Sequence, residues 1–120
     1  MEAKDAVTAL AALAQRNRLE AFRLLVNAGP EGMPAGEVAR SLDVPANTLS
    51  FHLDRLRQAG LIEVERQSRS QIYSARYDTM QDLIGYLTEN CCGNRPELCA
   101  PGRSAAVCKP SKAPRKITRK

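Results

Sequence analysis

Apolar residues recur along most of the chain at the three- and four-residue spacing of amphipathic helices. A first helix is predicted over residues 3–13, and a second follows and ends at Gly29. A third helix is predicted with Pro34 in its first turn, and a fourth ends before Gly60. A last helix begins near Asp78, so the pattern predicts a mainly helical protein.

The residues between the fourth and last helices favour strands. Two β-leaning runs at 61–66 and 71–75 are separated by polar residues 67–70, which is typical of a hairpin. Two short helices around a break at 44–47, followed by a hairpin, have the order of a winged helix-turn-helix. The predicted fold class is therefore mainly α with a small β-hairpin wing. Residues 1–92 are assigned to a winged helix-turn-helix DNA-binding domain, and residues 93–120 to a basic, cysteine-containing and largely flexible tail.

Length and charge narrow the function classes. A chain of 120 residues with 43% hydrophobic content fits one domain and leaves no room for a separate substrate-binding domain. The net charge of +5 comes from the tail, because residues 1–100 hold 11 Lys and Arg against 13 Asp and Glu. The start of the chain lacks the apolar run of an export or membrane segment, so a cytoplasmic protein without a membrane partner is expected.

The fourth helix carries the predicted DNA-reading side chains. In a helix-turn-helix the second helix enters the major groove, where amide and hydroxyl groups pair with base edges and apolar groups contact thymine methyls. Arginines in this helix and in the wing are expected near phosphates. The predicted DNA-binding set is Asn47, Thr48, Ser50, Phe51, His52, Arg55, Arg66, Arg69 and Gln71.

An ordinary solvated helix face is the alternative for these polar residues. Phe51 favours the DNA-binding interpretation, because an aromatic ring opposite the leucine stripe is poorly explained by solvation, although packing against the wing would also explain it. His52, the only histidine, is expected to be half-buried and hydrogen-bonded rather than a metal ligand.

Four cysteines lie near the C-terminus and none elsewhere. Thiolates select soft or borderline ions, and Cys91, Cys92 and Cys99 fall within nine residues. Three sulfurs suit trivalent arsenic or antimony, which bind three thiolates in a pyramid, whereas zinc usually takes four ligands. Cys108 is a weaker fourth candidate. Burial as small hydrophobes is the alternative, and it fits Cys91 if the last helix extends that far.

The segment 12–75 resembles the winged-helix repressors of the ArsR/SmtB family. The resemblance is most specific at Ser50-Phe51-His52-Leu53 and at residues 56–62. It implies that residues 1–92 are also the dimerisation domain of a homodimer. The first and last helices would pack across the two-fold axis, and the dimer would bind double-stranded operator DNA with an imperfect palindrome. Family members often have His or Gln at position 51 and Gly in the wing near residues 68–70, so base preference and wing shape are expected to differ here.

The cysteine positions resemble those of arsenic-responsive members whose site lies at the C-terminal end. The predicted function is a repressor that releases DNA when trivalent arsenic binds, with antimony(III) or methylated arsenic(III) as further inducers and no constitutive cofactor. A thiol-based redox or persulfide sensor, and a cadmium- or zinc-responsive repressor, are the alternatives. An enzyme is not expected, because the chain has neither a C-x-x-C motif in a βαβ pattern nor a phosphate-binding glycine loop.

Overall fold

The structure is a computed structural model that describes residues 1–95. Its elements are α1 (Ala3–Leu13), α2 (Arg16–Ala28), β1 (Met33–Pro34), α3 (Ala35–Leu42), α4 (Ala46–Gln58), β2 (Ile62–Gln67), β3 (Ser70–Ala75), α5 (Tyr77–Leu87) and a 3₁₀ turn (Cys91–Asn94). Over the described residues these elements confirm a mainly helical winged helix-turn-helix. Residues 2–80 form one compact unit, and the described residues 81–95 belong to a second.

Hydrogen bonds define the corner between α1 and α2. The Gln15 side-chain oxygen accepts from the Arg18 backbone N–H at 2.9 Å, which satisfies one donor at the start of α2. Arg18 Nε donates to the carbonyl oxygen of Ala12 at 2.7 Å, at the end of α1. Arg18 therefore joins the two helix ends and fixes the corner.

The core of the 2–80 unit is aliphatic. The leucine stripe predicted for α4 is buried, and it packs with residues from α2, α3 and the start of β2. The largest fully buried side chains are Leu25, Val38, Leu49, Leu53, Leu56, Leu61 and Ile62. This core holds the inner face of α4, so that the opposite face points to solvent.

The sheet has three antiparallel strands in the order β1-β3-β2. The predicted hairpin is confirmed, but its ladder extends to the pair Gln67 and Ser70, so only two residues make the turn. The strand β1 was not predicted: Met33 pairs with Tyr73, and Pro34 pairs with Ile72. Pro34 is thus the residue that precedes α3, not a residue of its first turn, and the third strand joins the wing to the loop before α3.

Within the described residues, no helix is both long and apolar enough to cross a membrane. The predicted domain boundary between residues 92 and 93 stays a prediction, since most of the predicted tail lies outside the described residues.

Candidate nucleic-acid interface and thiol pair

A tight turn joins α3 to α4. Asp43 ends α3 in the left-handed conformation (φ 57°), and its backbone N–H reaches back to the carbonyl oxygens of Ala39 and Arg40. Pro45 then precedes the first turn of α4, where its fixed φ suits a helix start. The backbone conformations of these two residues produce the helix-turn-helix and leave the N-terminal half of α4 at the surface.

The outward face of α4 presents four of the predicted DNA-binding residues. Asn47, Thr48, Ser50 and Phe51 are all exposed, while Leu49 beside them is buried. The Asn47 side-chain oxygen accepts from the Thr48 backbone N–H at 2.9 Å, so its amide nitrogen points away from this bond. This surface therefore combines amide, hydroxyl and aromatic groups that can reach base edges in a major groove.

Phe51 is the unusual member of this surface, because 52% of it is exposed. The guanidinium carbon of Arg55 lies 4.8 Å from the centre of the Phe51 ring, which is a cation–π arrangement. The His52 ring stands edge-on to Phe51, with 5.9 Å between the ring centroids. Both ring partners belong to α4, and an open groove between α4 and α1 adjoins Phe51 and Arg55. Helical i,i+4 spacing could have predicted the contact with Arg55.

His52 differs from its prediction. It is only 7% exposed, so it is buried rather than half-buried, and its Nδ1 atom has no hydrogen-bond partner within residues 1–95. Burial lowers the pKa of His52, and the positive charge of Arg18 lowers it further. His52 is thus a neutral core residue beneath Phe51, and this burial separates it from the other predicted DNA contacts.

The two arginines of α4 differ in whether their charge is already paired with a carboxylate. Asp54 accepts from Arg57 at 2.7 Å and from the Gln58 side chain at 2.8 Å, so the charge of Arg57 is already paired. Arg55 makes no salt bridge within the described part of the chain. Among residues 1–95 its ring contact is Phe51, and this arrangement leaves its positive charge available to DNA.

The wing carries the remaining predicted contacts near its tip. Arg66 and Gln71 are exposed and pair across the hairpin, so their side chains lie on the same face of the sheet. Arg69 is the second turn residue, and Ser68 before it has a φ of 55°. Serine adopts a left-handed φ here, so the absence of glycine does not prevent a tight turn.

The thiol pair lies beyond the end of α5. That helix ends at Leu87, so Cys91 does not extend its apolar stripe, and the interpretation of Cys91 as a helical core residue is wrong. Both cysteines are partly exposed, and their Sγ atoms are 3.4 Å apart, too far for a disulfide bond. Cys99 and Cys108 lie outside the described residues. Within residues 1–95, no group of three His, Cys, Asp or Glu side chains could hold a metal ion.

Comparisons with known proteins agree with this geometry. A family described as a helix-turn-helix domain matches residues 13–65. The chain is 36% identical over 77 residues to the uncharacterized HTH-type transcriptional regulator YceK of Bacillus subtilis, which covers 63% of this chain and 76% of that protein.

Two solved structures are also similar. An ArsR-like transcriptional regulator from Rhodococcus sp. RHA1 superposes with a TM-score of 0.64 at 25% identity, covering 70% of this chain and 76% of the other. The homodimeric winged helix-turn-helix domain of Mb0332 from Mycobacterium bovis superposes with a TM-score of 0.60 at 22% identity, covering 71% and 83%.

Proposed function

Since the chain belongs to the ArsR family of winged helix-turn-helix transcriptional regulators, we propose that it is a homodimeric repressor induced by trivalent arsenic. In this proposal α4 and the wing bind operator DNA, and the ion binds Cys91, Cys92 and Cys99. The observation that supports trivalent arsenic as the inducer is the thiol pair, whose sulfur atoms lie 3.4 Å apart in a partly exposed turn.

The spacing of the sulfurs suits a shared thiophilic ion. Two sulfurs about 2.3 Å from a shared atom, as in zinc thiolate sites, are about 3.4 Å apart at a bond angle of roughly 95° and about 3.8 Å apart at the tetrahedral angle. The Sγ atoms of Cys91 and Cys92 are in contact as thiols at 3.4 Å, which is near both values. The pair can therefore supply two ligand positions with little rearrangement, and the number of ligands, rather than this distance, distinguishes the ions.

Cys99 supplies the third ligand in this proposal. It follows the pair by seven residues, and Gly93 and Pro96 lie between them. Zinc would need a fourth ligand, for which the weaker candidate Cys108 would be required, because His52, the only histidine of the chain, is buried in the core. The ligand set therefore favours trivalent arsenic or antimony over zinc.

Exposed apolar residues support the homodimer. Val7 and Leu10 on α1 are 64% and 42% exposed, and Ile84 and Leu87 on α5 are 44% and 57% exposed. Apolar residues at helical spacing on a water-facing surface indicate a contact with another chain. The similar domain of Mb0332 is homodimeric. We assign the occupant of these faces as a second copy of this chain.

A titration of DNA release tests the inducer. The reduced protein is bound to a fluorescent duplex from upstream of its own gene, and arsenite is added while anisotropy is followed, with a phosphine reductant to avoid competing thiols. Affinity is expected to fall by about 5- to 150-fold, the usual range of allosteric coupling. Cys92→Ser and Cys99→Ser should abolish this response, whereas the matched control Cys108→Ser should keep it.

Two results would reject the proposal. If arsenite released DNA from the Cys92→Ser and Cys99→Ser proteins at the same concentration as from wild type, the arsenic site would lie elsewhere. Release by a mild oxidant, together with no response to arsenite, would identify a thiol-oxidation sensor. Adjacent cysteines form a strained disulfide, so such a sensor would join Cys99 to one of the pair.

A further inference from the structure

The contact between Phe51 and Arg55 suggests a more specific role in sequence recognition. We propose that these two side chains form one reading unit, which recognises a T·A base pair next to a G·C base pair. In this unit the Phe51 ring covers the thymine methyl group, and Arg55 donates to guanine O6 and N7. The inference rests on the proposed entry of α4 into the major groove and is independent of the cysteines.

The Phe51 ring is held in place before DNA arrives. Arg55 lies over it at 4.8 Å, and the buried His52 supports it edge-on at 5.9 Å. About half of the residue nevertheless remains in contact with water. Covering the exposed part of a preorganised ring with a methyl group gains hydrophobic free energy without ordering a mobile side chain.

Arg55 is suited to a base rather than to a phosphate. Sequence alone placed it near the backbone, but its charge is not paired with a carboxylate in the described residues, because Asp54 binds Arg57 instead. A guanidinium stacked on an aromatic ring keeps its N–H donors at its edge, in the fork that fits guanine O6 and N7. The Phe51 ring therefore acts as a platform that aims this fork.

The separation of the two groups selects neighbouring base pairs. The 4.8 Å between the guanidinium carbon and the ring centre is closer to one base step of about 3.4 Å than to two steps of about 6.8 Å. The two contacts therefore fall on adjacent pairs. The step read in each half-site is thymine beside guanine.

Selection from a randomised duplex library tests the inference without an operator sequence. The full-length reduced protein and its Phe51→Ala and Arg55→Lys variants are each used to enrich bound duplexes in the absence of arsenic. Wild type is expected to enrich adjacent T·A and G·C pairs in both half-sites. Arg55→Lys, which keeps the charge but loses the fork, should lose preference at the G·C pair by about 5- to 150-fold and keep the T·A pair.

Phe51→Ala should lose preference at both pairs, because it removes both the methyl contact and the platform for Arg55. Deoxyuridine in place of the selected thymine removes only the methyl group, and it should weaken wild type while leaving Phe51→Ala unchanged. Arg76→Lys is the matched control, because Arg76 is outside the predicted DNA-binding set and is paired with Asp78 at 2.9 Å, and it should select the same motif as wild type.

Several outcomes would overturn the inference. Identical motifs from wild type, Phe51→Ala and Arg55→Lys would show that the pair reads no bases. Enrichment by wild type of a motif without adjacent T·A and G·C pairs would show that the pair does not recognise this step. A wild-type pool with no sequence preference would also reject sequence-specific DNA recognition by α4. Thermal unfolding of each variant checks that folding is retained, and the arsenite titration remains a separate test of the cysteines.

Discussion

Replacing Arg69 with alanine is expected to make DNA binding less sensitive to salt. Arg69 lies in the two-residue turn of the wing, is exposed and forms no salt bridge within residues 1–95. A free arginine at this position can neutralise a phosphate and release its counterion. The number of such contacts determines how steeply affinity falls with salt concentration, so the variant reports directly on the wing.

The size of the effect follows from the proposed homodimer, which presents two wings. Each lost phosphate contact lowers the slope of log affinity against log salt concentration by about 0.9, so Arg69→Ala should lower it by about 1.8. Between 50 and 200 mM salt, a fourfold change, wild type should therefore lose about twelvefold more affinity than the variant. Arg69→Lys should keep the wild-type slope, because the charge remains.

The assay is a set of anisotropy titrations at four or more salt concentrations with one duplex. Arg76→Ala is the matched control, because Arg76 lies about 20 Å away at the other end of β3 and is paired with Asp78 at 2.9 Å. Its slope should equal that of wild type. A wild-type slope for Arg69→Ala would refute the reasoning and would mean that the wing tip does not contact the DNA backbone.

Three further predictions concern stability and are measured by urea unfolding. Burial, and secondarily Arg18, lowers the pKa of His52 from its usual 6.5, so the unfolded chain takes up the proton first. The free energy of unfolding should therefore fall as pH drops below 6.5, and less so in His52→Gln. Gly32→Ala should cost about 1–3 kcal/mol, since φ is 73° and the new Cβ would meet the Tyr73 carbonyl oxygen. Leu53→Ala should cost about 2–5 kcal/mol by opening a cavity in the core.

The helices could be predicted from sequence because their signals are local. Residues 3–13 were assigned to the first helix, and α1 has these bounds. The leucine stripe of α4 likewise identified its buried face. By contrast, β1 contains only Met33 and Pro34, and a strand this short has no periodicity. It exists only because β3 presents a free edge to it, which is a contact between distant parts of the chain.

The candidate site also contains residues that could be predicted from sequence and residues that could not. The exposure of Asn47, Thr48 and Ser50 follows from helical periodicity, and the structure agrees. The burial of His52 was underestimated, because it depends on how closely the other helices pack against that side of α4. The end of α5 before Cys91 was also missed, although Asn90 adopts a left-handed φ, which asparagine adopts more often than most residues and which is common after helix ends. The burial of His52 is thus decided by tertiary context, whereas the end of α5 had a local signal.

The third strand has a consequence for how induction can work. β1 pairs with β3, so a backbone ladder connects the wing to the loop that begins α3 within the compact unit of residues 2–80. Folding the wing away from the groove would break this ladder, so the proposed inducer is expected to act through the arrangement of the two copies in the proposed homodimer. The proposed arsenic response is accordingly expected to weaken strong and weak operators by the same factor, so that their ranking survives induction.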